Sequence, residues 1–525
     1  VNTSAVLLEN ACLITLDPER RVIADGHLLV ENGRIAALGP GRHPAPVPGA
    51  EVRDLGGQIV MPGLIDAHYH SYGNLLKGHI EAAPLEAYVM YVIAEGPRLS
   101  ADDVEVSSAL GALELLASGC TACLDHLSQP AEALARAARV YRRLGLRCML
   151  TPQFSDRPYA ATLPAGFPVP SSAAGPVAGG PGLPAAGSLE PLEEVIRRCH
   201  RPADGVTVAL GPSGPLRCSD ELLVATADLA RRHGLQWHTH LLESRPQEVA
   251  AQQQYGRSMV EHLEALGLLG PHASLAHAIW TSASDLDRIA TNGAAVVHVP
   301  VANLHLGDGI MPFVEMRRRG ITVALGTDNS ACAGCQSMFE AMKLAALLGR
   351  VIEPDATSWP TSADALEAAT LGGARVLGLA AEVGSLEVGK WADLVFLRRD
   401  VPALTPLHNP SWQIVFGRPE HAVVEVWTSG RPVIRAGRLT GTDQEALLAE
   451  AAGRGAHLLR RCREAYSEIQ QHAPRFAELV AKTWGHPTAA VAGRWHPCGT
   501  WESRTGDGRP RSDADPQGPS PPTGA

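Results

Sequence analysis

No apolar run in this 525-residue chain approaches the roughly 18 to 20 residues that a membrane-crossing helix needs. The first residues carry neither the basic region nor the apolar stretch of a secretory signal. A membrane is therefore not expected as a partner, and the expected address is the cytoplasm. Excess positive charge is missing too: 45 Lys and Arg stand against 55 Asp and Glu, a formal net charge of −10, which disfavours nucleic acid as a partner. Internal repeats are absent. So is a disulfide framework, because the ten cysteines are scattered over a long chain rather than packed into a short secreted one. Cys120 with Cys123 and Cys332 with Cys335 have the C-x-x-C spacing of half a structural zinc site. The first pair lies in SGCTACLDH, whose apolar alternation suits a buried strand, and both pairs are read as packed thiols.

What is present is the composition of a globular enzyme, 45% hydrophobic and 19% charged. Its length exceeds what one hydrophobic core usually serves, so a large domain with a smaller companion is expected. Residues 1–61 contain short strands with Gly and Asn at the corners (AVLLENACLITL, HLLVENGRIAALG) and read as the first part of a small β unit. Residues 62–375 alternate apolar strands with amphipathic helices, the pattern of an α/β (β/α)8 barrel. Residues 376–440 return to β character (GSLEVGKWADLVFL, AVVEVWTSGRPVIRAGRL) and would complete the first unit discontinuously. Residues 441–490 read as helices, and 491–525 as a polar, Pro-rich, disordered tail without chemistry. The Ala/Gly/Pro-rich stretch 156–190 cannot bury a core and reads as a flexible loop over one end of the barrel.

The strongest chemical signal is MPGLIDAHYH. Side chains two apart on a strand face the same side, so His68 and His70 both point inward at the strand's C-terminal end, where barrel active sites sit. That is a metal-ligand arrangement. On its own H-x-H is weak in a chain with 21 histidines, and His238 with His240 forms a second such pair; the downstream partners give it weight.

With these motifs the chain resembles the amidohydrolase superfamily, in particular the aminohydrolase branch that includes nucleoside-type deaminases and triazine hydrolases. The resemblance covers most of residues 5–440 and implies a barrel with a discontinuous β-sandwich, GSLEVGKWADLVFL being the recurrent sandwich segment. It implies His68 and His70 as first-strand ligands. In LQWHTHLLES it implies His240 as fifth-strand ligand and Glu243 as catalytic acid/base, with His238 left to packing or support. SLAHAIW supplies His277, which would contact the attacking water or the substrate, and ITVALGTDNS supplies Asp328 as final ligand and proton carrier. His126 and His305 stay outside the ligand set. Three His and one Asp suit one divalent metal, zinc, and ferrous iron accepts the same set. Two-metal relatives use a fourth-strand lysine, and GVTVALGPSGPLRCS has none, which argues for a single metal.

The implied reaction is hydrolytic deamination of an amino-substituted nitrogen heterocycle, in which Glu243 moves a proton from water to a ring nitrogen and ammonia leaves. Glu86 and Tyr88 in PLEAYVMY, Ser213 in GPSGP and Asn303 in VANLHLGDG are expected at the substrate. Ser213 stands where those deaminases carry a histidine between two prolines, a departure that puts an adenosine-like substrate in doubt. The partner is a small molecule, and homo-oligomers are common in the resembled family. The alternatives are opening of a cyclic amide or displacement of another leaving group (hydantoin, imidazolone or chlorotriazine chemistry), a catalytically silent scaffold on the same fold, and a module that binds a heterocycle, against which Glu243 counts.

Overall fold

The computed structural model describes residues 5–164 and 188–491. Most of the loop expected at 156–190, and the tail expected at 491–525 apart from its first residue, lie outside the described residues.

Parallel strands covered on both faces must be apolar throughout rather than alternating, and Cys120–Leu127 is buried at every position. It belongs to a set of parallel strands running Leu64–Tyr69, Cys120–Leu127, Arg147–Phe154, then Val206–Val208 and Gly211–Pro212, which both pair with Arg147–Phe154. A second parallel set runs Trp237–Leu241, Ala273–His277, Ala295–His298 and Val323–Leu325. Two parallel bridges join the sets at both ends, Leu210 to Trp237 and Tyr69 to Asp328. The sheet is therefore closed, and the expected (β/α)8 barrel is the observed fold. Between strands the helices begin where the sequence offers caps. Ser100 and Asp103 make a capping box for Ala101–Ala117, and Ser282 and Asp285 do the same for Ala283–Asn292.

The chain's two ends build the small β domain together. Ile59–Pro62 pairs in parallel with Val6–Ile14 on one side and antiparallel with Leu394–Leu397 on the other, giving one nine-stranded sheet. Leu8, Leu28, Val60, Leu394, Phe396 and Trp427 share its core. The sheet is fastened to the barrel by a bidentate ion pair at the start of the third barrel strand: Arg147 Nε and Nη2 lie 2.8 and 3.3 Å from the Asp393 carboxylate, which also accepts the Ser429 N–H at 2.7 Å. Beyond the sheet, Gln444–Thr483 is one continuous helix. It packs on Leu85–Glu95 and Ala101–Ala117, where Tyr466 Oη donates to Glu95 (2.6 Å) and Arg454 pairs with Asp103 (3.1 Å). Among the described residues no helix is long and apolar enough to cross a membrane.

Asp393 is 2% exposed, so Asp393→Ala leaves the Arg147 guanidinium largely buried without its anion. This should cost about 3–5 kcal/mol of stability, read as a lowered urea midpoint with an unchanged slope. A midpoint equal to that of the parent would show that the pair does not hold the two parts together.

Candidate active site

Each site residue sits where a barrel strand ends. His68 lies within Leu64–Tyr69, with His70 just beyond it. His240 belongs to Trp237–Leu241, His277 closes Ala273–His277, and Asp328 follows Val323–Leu325. Two of these ends are bent into unusual backbone: His277 has φ +70° and Asp328 φ +68°, and Leu242, before Glu243, has φ +46°. Left-handed φ is uncommon for residues with a side chain and concentrates at functional sites.

The side chains converge. His70 Nε2 lies 3.3 Å from His240 Nε2 and 3.4 Å from Asp328 Oδ1; His68 Nε2 lies 3.8 Å from the same oxygen. His277 Nε2 is 3.5 Å from Glu243 Oε1 and 3.9 Å from Asp328 Oδ2. What decides the chemistry is the other ring nitrogen. His70 Nδ1 donates to the His126 carbonyl (2.5 Å), and His240 Nδ1 donates to the Ser213 carbonyl. His68 Nδ1 donates to His238 Nε2 (2.8 Å), whose own Nδ1 donates to Ser274 Oγ (2.7 Å). His277 Nδ1 donates to Asn303 Oδ1 (2.9 Å). With the proton held on Nδ1, every Nε2 carries a bare lone pair into one small space. His68 Nε2 and His277 Nε2 are buried without any hydrogen-bond partner.

Burial also keeps these rings neutral. It drives His68 and His277 well below the ordinary histidine value, and His70 and His240 down to about 4. Neutral imidazoles aimed at one point beside a carboxylate are the donor set of a divalent cation. The residues present thus fit a metal: His68, His277 and Asp328 offer atoms within 4.8 Å of one another, as do His68, His70, His126 and His240. His126 enters the second group by position. Its Nε2 donates to the Gly211 carbonyl (3.1 Å) and its own carbonyl orients His70. Glu243 is the other pole. Burial first, then the Asp328 and Glu86 carboxylates, push its carboxyl well above the usual range, so it is suited to hold a proton.

A cavity of about 120 Å³ opens onto these groups. Glu86, Tyr88 and Ser213 line it together with His240, Glu243 and Asp328. Glu86 accepts from Ser244 Oγ through one oxygen, its other oxygen and Tyr88 Oη are buried without partners, and burial raises Glu86 to about 7. Asn303 is elsewhere: it is 1% exposed and stands behind His277 rather than on the cavity wall. His305 is exposed. Two groups escaped the sequence reading. Asp66, in the same MPGLIDAHYH segment, is fully buried and accepts from the backbone N–H groups of His68 (3.3 Å) and Thr327 (3.1 Å) and from Thr327 Oγ1. Asp308 is a buried carboxyl with one unpartnered oxygen, raised by burial and by the Glu243 carboxylate. The cysteine pairs are not ligands: among the described residues no cysteine joins a group that could hold a metal.

His68→Ala and Asp328→Ala should therefore purify with metal well below stoichiometric amounts, while His126→Ala keeps about one metal per chain. Elemental analysis after gel filtration reads this directly, and loss of metal in His126→Ala alone would move the ligand set.

Known proteins resemble the chain over most of its length. Residues 59–433 match the amidohydrolase family. The chain is 33% identical over 461 residues to a 5-methylthioadenosine/S-adenosylhomocysteine deaminase of Symbiobacterium thermophilum, covering 87% of this chain and 99% of the relative. It is 31% identical to a 5'-deoxyadenosine deaminase of Methanothermobacter thermautotrophicus, covering 85% and 99%. A zinc-bound adenosine deaminase structure from Xanthomonas campestris superposes with TM-score 0.74 at 27% identity, covering 89% of this chain and 99% of that one. With the match spanning both barrel and β domain, the chain belongs to the amidohydrolase family.

Proposed function

We propose that this chain is a metal-dependent aminohydrolase that exchanges an amino group on a nitrogen heterocycle for oxygen from water and releases ammonia. The observation that carries the reading is Glu243, a buried carboxyl on the cavity wall whose Oε1 lies 3.5 Å from His277 Nε2, placed to accept a proton and pass it on. Deamination needs such a group, because a ring nitrogen must be protonated before the neighbouring carbon accepts oxygen. The names of the 31–33% identical relatives, deaminases of adenosine-type compounds, support the same class.

His68, His70, His240 and Asp328 would hold the ion, for which the three imidazoles and one carboxylate favour zinc. When bound, such a metal lowers the pKa of water toward neutrality. The chain's own residues do the rest. Glu243 takes a proton from the attacking water and delivers it to the ring nitrogen adjacent to the amino-bearing carbon. His277, its Nδ1 committed to Asn303, presents Nε2 as an acceptor and so fixes the direction of the water's remaining O–H. As the new C–O bond forms, that proton passes to Asp328 and from it to the amine; the C–N bond then breaks, leaving ammonia and an oxo heterocycle. Glu86 and Tyr88, with unpartnered oxygens in the cavity, would receive polar groups of the substrate.

The test is ammonia release by the metal-loaded protein across guanine, adenosine, cytosine and aminotriazines. Glu243→Gln should retain its metal and lose about 10²–10⁴ in kcat. Full activity in that variant would remove Glu243 from the mechanism, and ring opening without ammonia would replace deamination by cyclic-amide hydrolysis.

A further inference from the structure

Arg217 stands in the wall of the same cavity, and nothing in the proposed chemistry uses it. It ends the short turn Pro215–Arg217 in GPSGPLRC. Its backbone carbonyl accepts the N–H groups of Asp156 (3.3 Å) and Arg157 (3.0 Å), which fixes the main chain. Its guanidinium carbon lies 5.5 Å from the centre of the Tyr159 ring. The polar contacts of the head are few: Nη2 makes one long bond to Ser155 Oγ at 3.4 Å, and Nε is buried without a partner.

The counter-charge is what is missing. Among the described residues no carboxylate forms an ion pair with Arg217, whose head meets the Tyr159 ring and Ser155 Oγ. The adjoining stretch 158–189 contains no Asp or Glu. Burial pulls its pKa down, but a guanidinium stays charged in a protein. A half-buried cation with no anion beside it and its Nε out of reach of water is costly, and a planar fork of N–H donors at a cavity wall is complementary to a carboxylate or phosphate. Ser213, four residues earlier on the same wall, accepts from Gln153 Nε2 at 3.0 Å, so its own hydroxyl proton can be donated into the cavity. Among the described lining residues Arg217 is the one Lys or Arg.

We propose that Arg217 anchors an anionic oxygen of the substrate, a carboxylate or phosphate carried apart from the departing amine, and so selects anionic amino-heterocycles over neutral ones. The selectivity rests on the deaminase reading; the anion site does not.

The experiment has a binding arm and a turnover arm, both on metal-loaded full-length protein. Calorimetry with inorganic phosphate and with acetate is run on the parent, Arg217→Met and Arg217→Lys, each first checked for a native circular dichroism spectrum and melting transition. Arg217→Met should bind both anions at least about thirtyfold more weakly, with partial recovery in Arg217→Lys. Binding that is absent in the parent, or equal in parent and Arg217→Met, overturns the anion site. In the turnover arm, ammonia release is compared for adenosine, adenosine 5'-carboxylate and adenosine 5'-phosphate, which separates the two anion sources. The ratio of kcat/KM between the preferred anion and the neutral compound should be at least about tenfold in the parent and collapse toward unity in Arg217→Met, chiefly through KM. A ratio near unity in the parent overturns the selectivity. Arg217-dependent anion binding with no ammonia from any compound supports the anion site and rejects deamination of adenosine-type substrates.

Discussion

Everything at the mouth of this barrel depends on the contact that closes it. The last strand meets the first through the bridge of Tyr69 to Asp328 and the bond from Asp328 N–H to the His68 carbonyl at 2.9 Å. Asp66 ties the two ends from within by accepting from both His68 and Thr327. The approach is close enough that Gly326 has no alternative: a Cβ there would meet the His68 backbone at 2.8 Å. Without that closure Asp328 would not stand opposite His68 and His70, and the histidines would face solvent.

Closure then forces an electrostatic solution. Packing four imidazoles and three carboxyls at one dry end of a barrel is unfavourable if they are charged, and burial moves each toward its neutral form, histidines down and Glu86 and Glu243 up. The backbone carbonyls of His126 and Ser213 and the side chains of His238 and Asn303 exploit that neutrality by holding Nδ1–H bonds. The result is a cluster of lone pairs with no protons between them, an arrangement that a cation relieves and that nothing in the surrounding core can.

Much of this was legible in the sequence for simple reasons. The alternation of strand and helix marks a barrel because each period is local. His68 and His70 share a face because the strand period is two. His240, Glu243, His277 and Asp328 were accessible only through their order along the chain and its resemblance to a family, since no local pattern says that distant strand ends meet. Other features lay beyond reach. The left-handed backbone at His277 and Asp328 leaves only a faint mark in residue type, since His and Asp tolerate it better than most residues but usually do not adopt it. Asn303 was expected at the substrate because its loop was, but the helix Pro300–His305 turns it back onto His277. Asp66 has no local pattern to set it apart, because the Thr327 that it binds lies 261 residues away. GPSGPLRCS was read for the histidine it lacks, while the arginine in it gains meaning only from the cavity it enters.

The split of the small β domain between the two ends of the chain also has a temporal side. Ile59–Pro62 emerges from the ribosome early, yet the strand that covers its free edge, Leu394–Leu397, follows roughly 330 residues later. At about 5–20 residues per second that interval is on the order of tens of seconds. During it a four-residue buried strand exposes unpaired N–H and C=O groups, a template for other chains. The strand is short, which limits the hazard, and the whole barrel must be synthesised in the meantime. The growing chain therefore completes its catalytic domain before the sheet it started with, and a late strand is the one that covers the early edge.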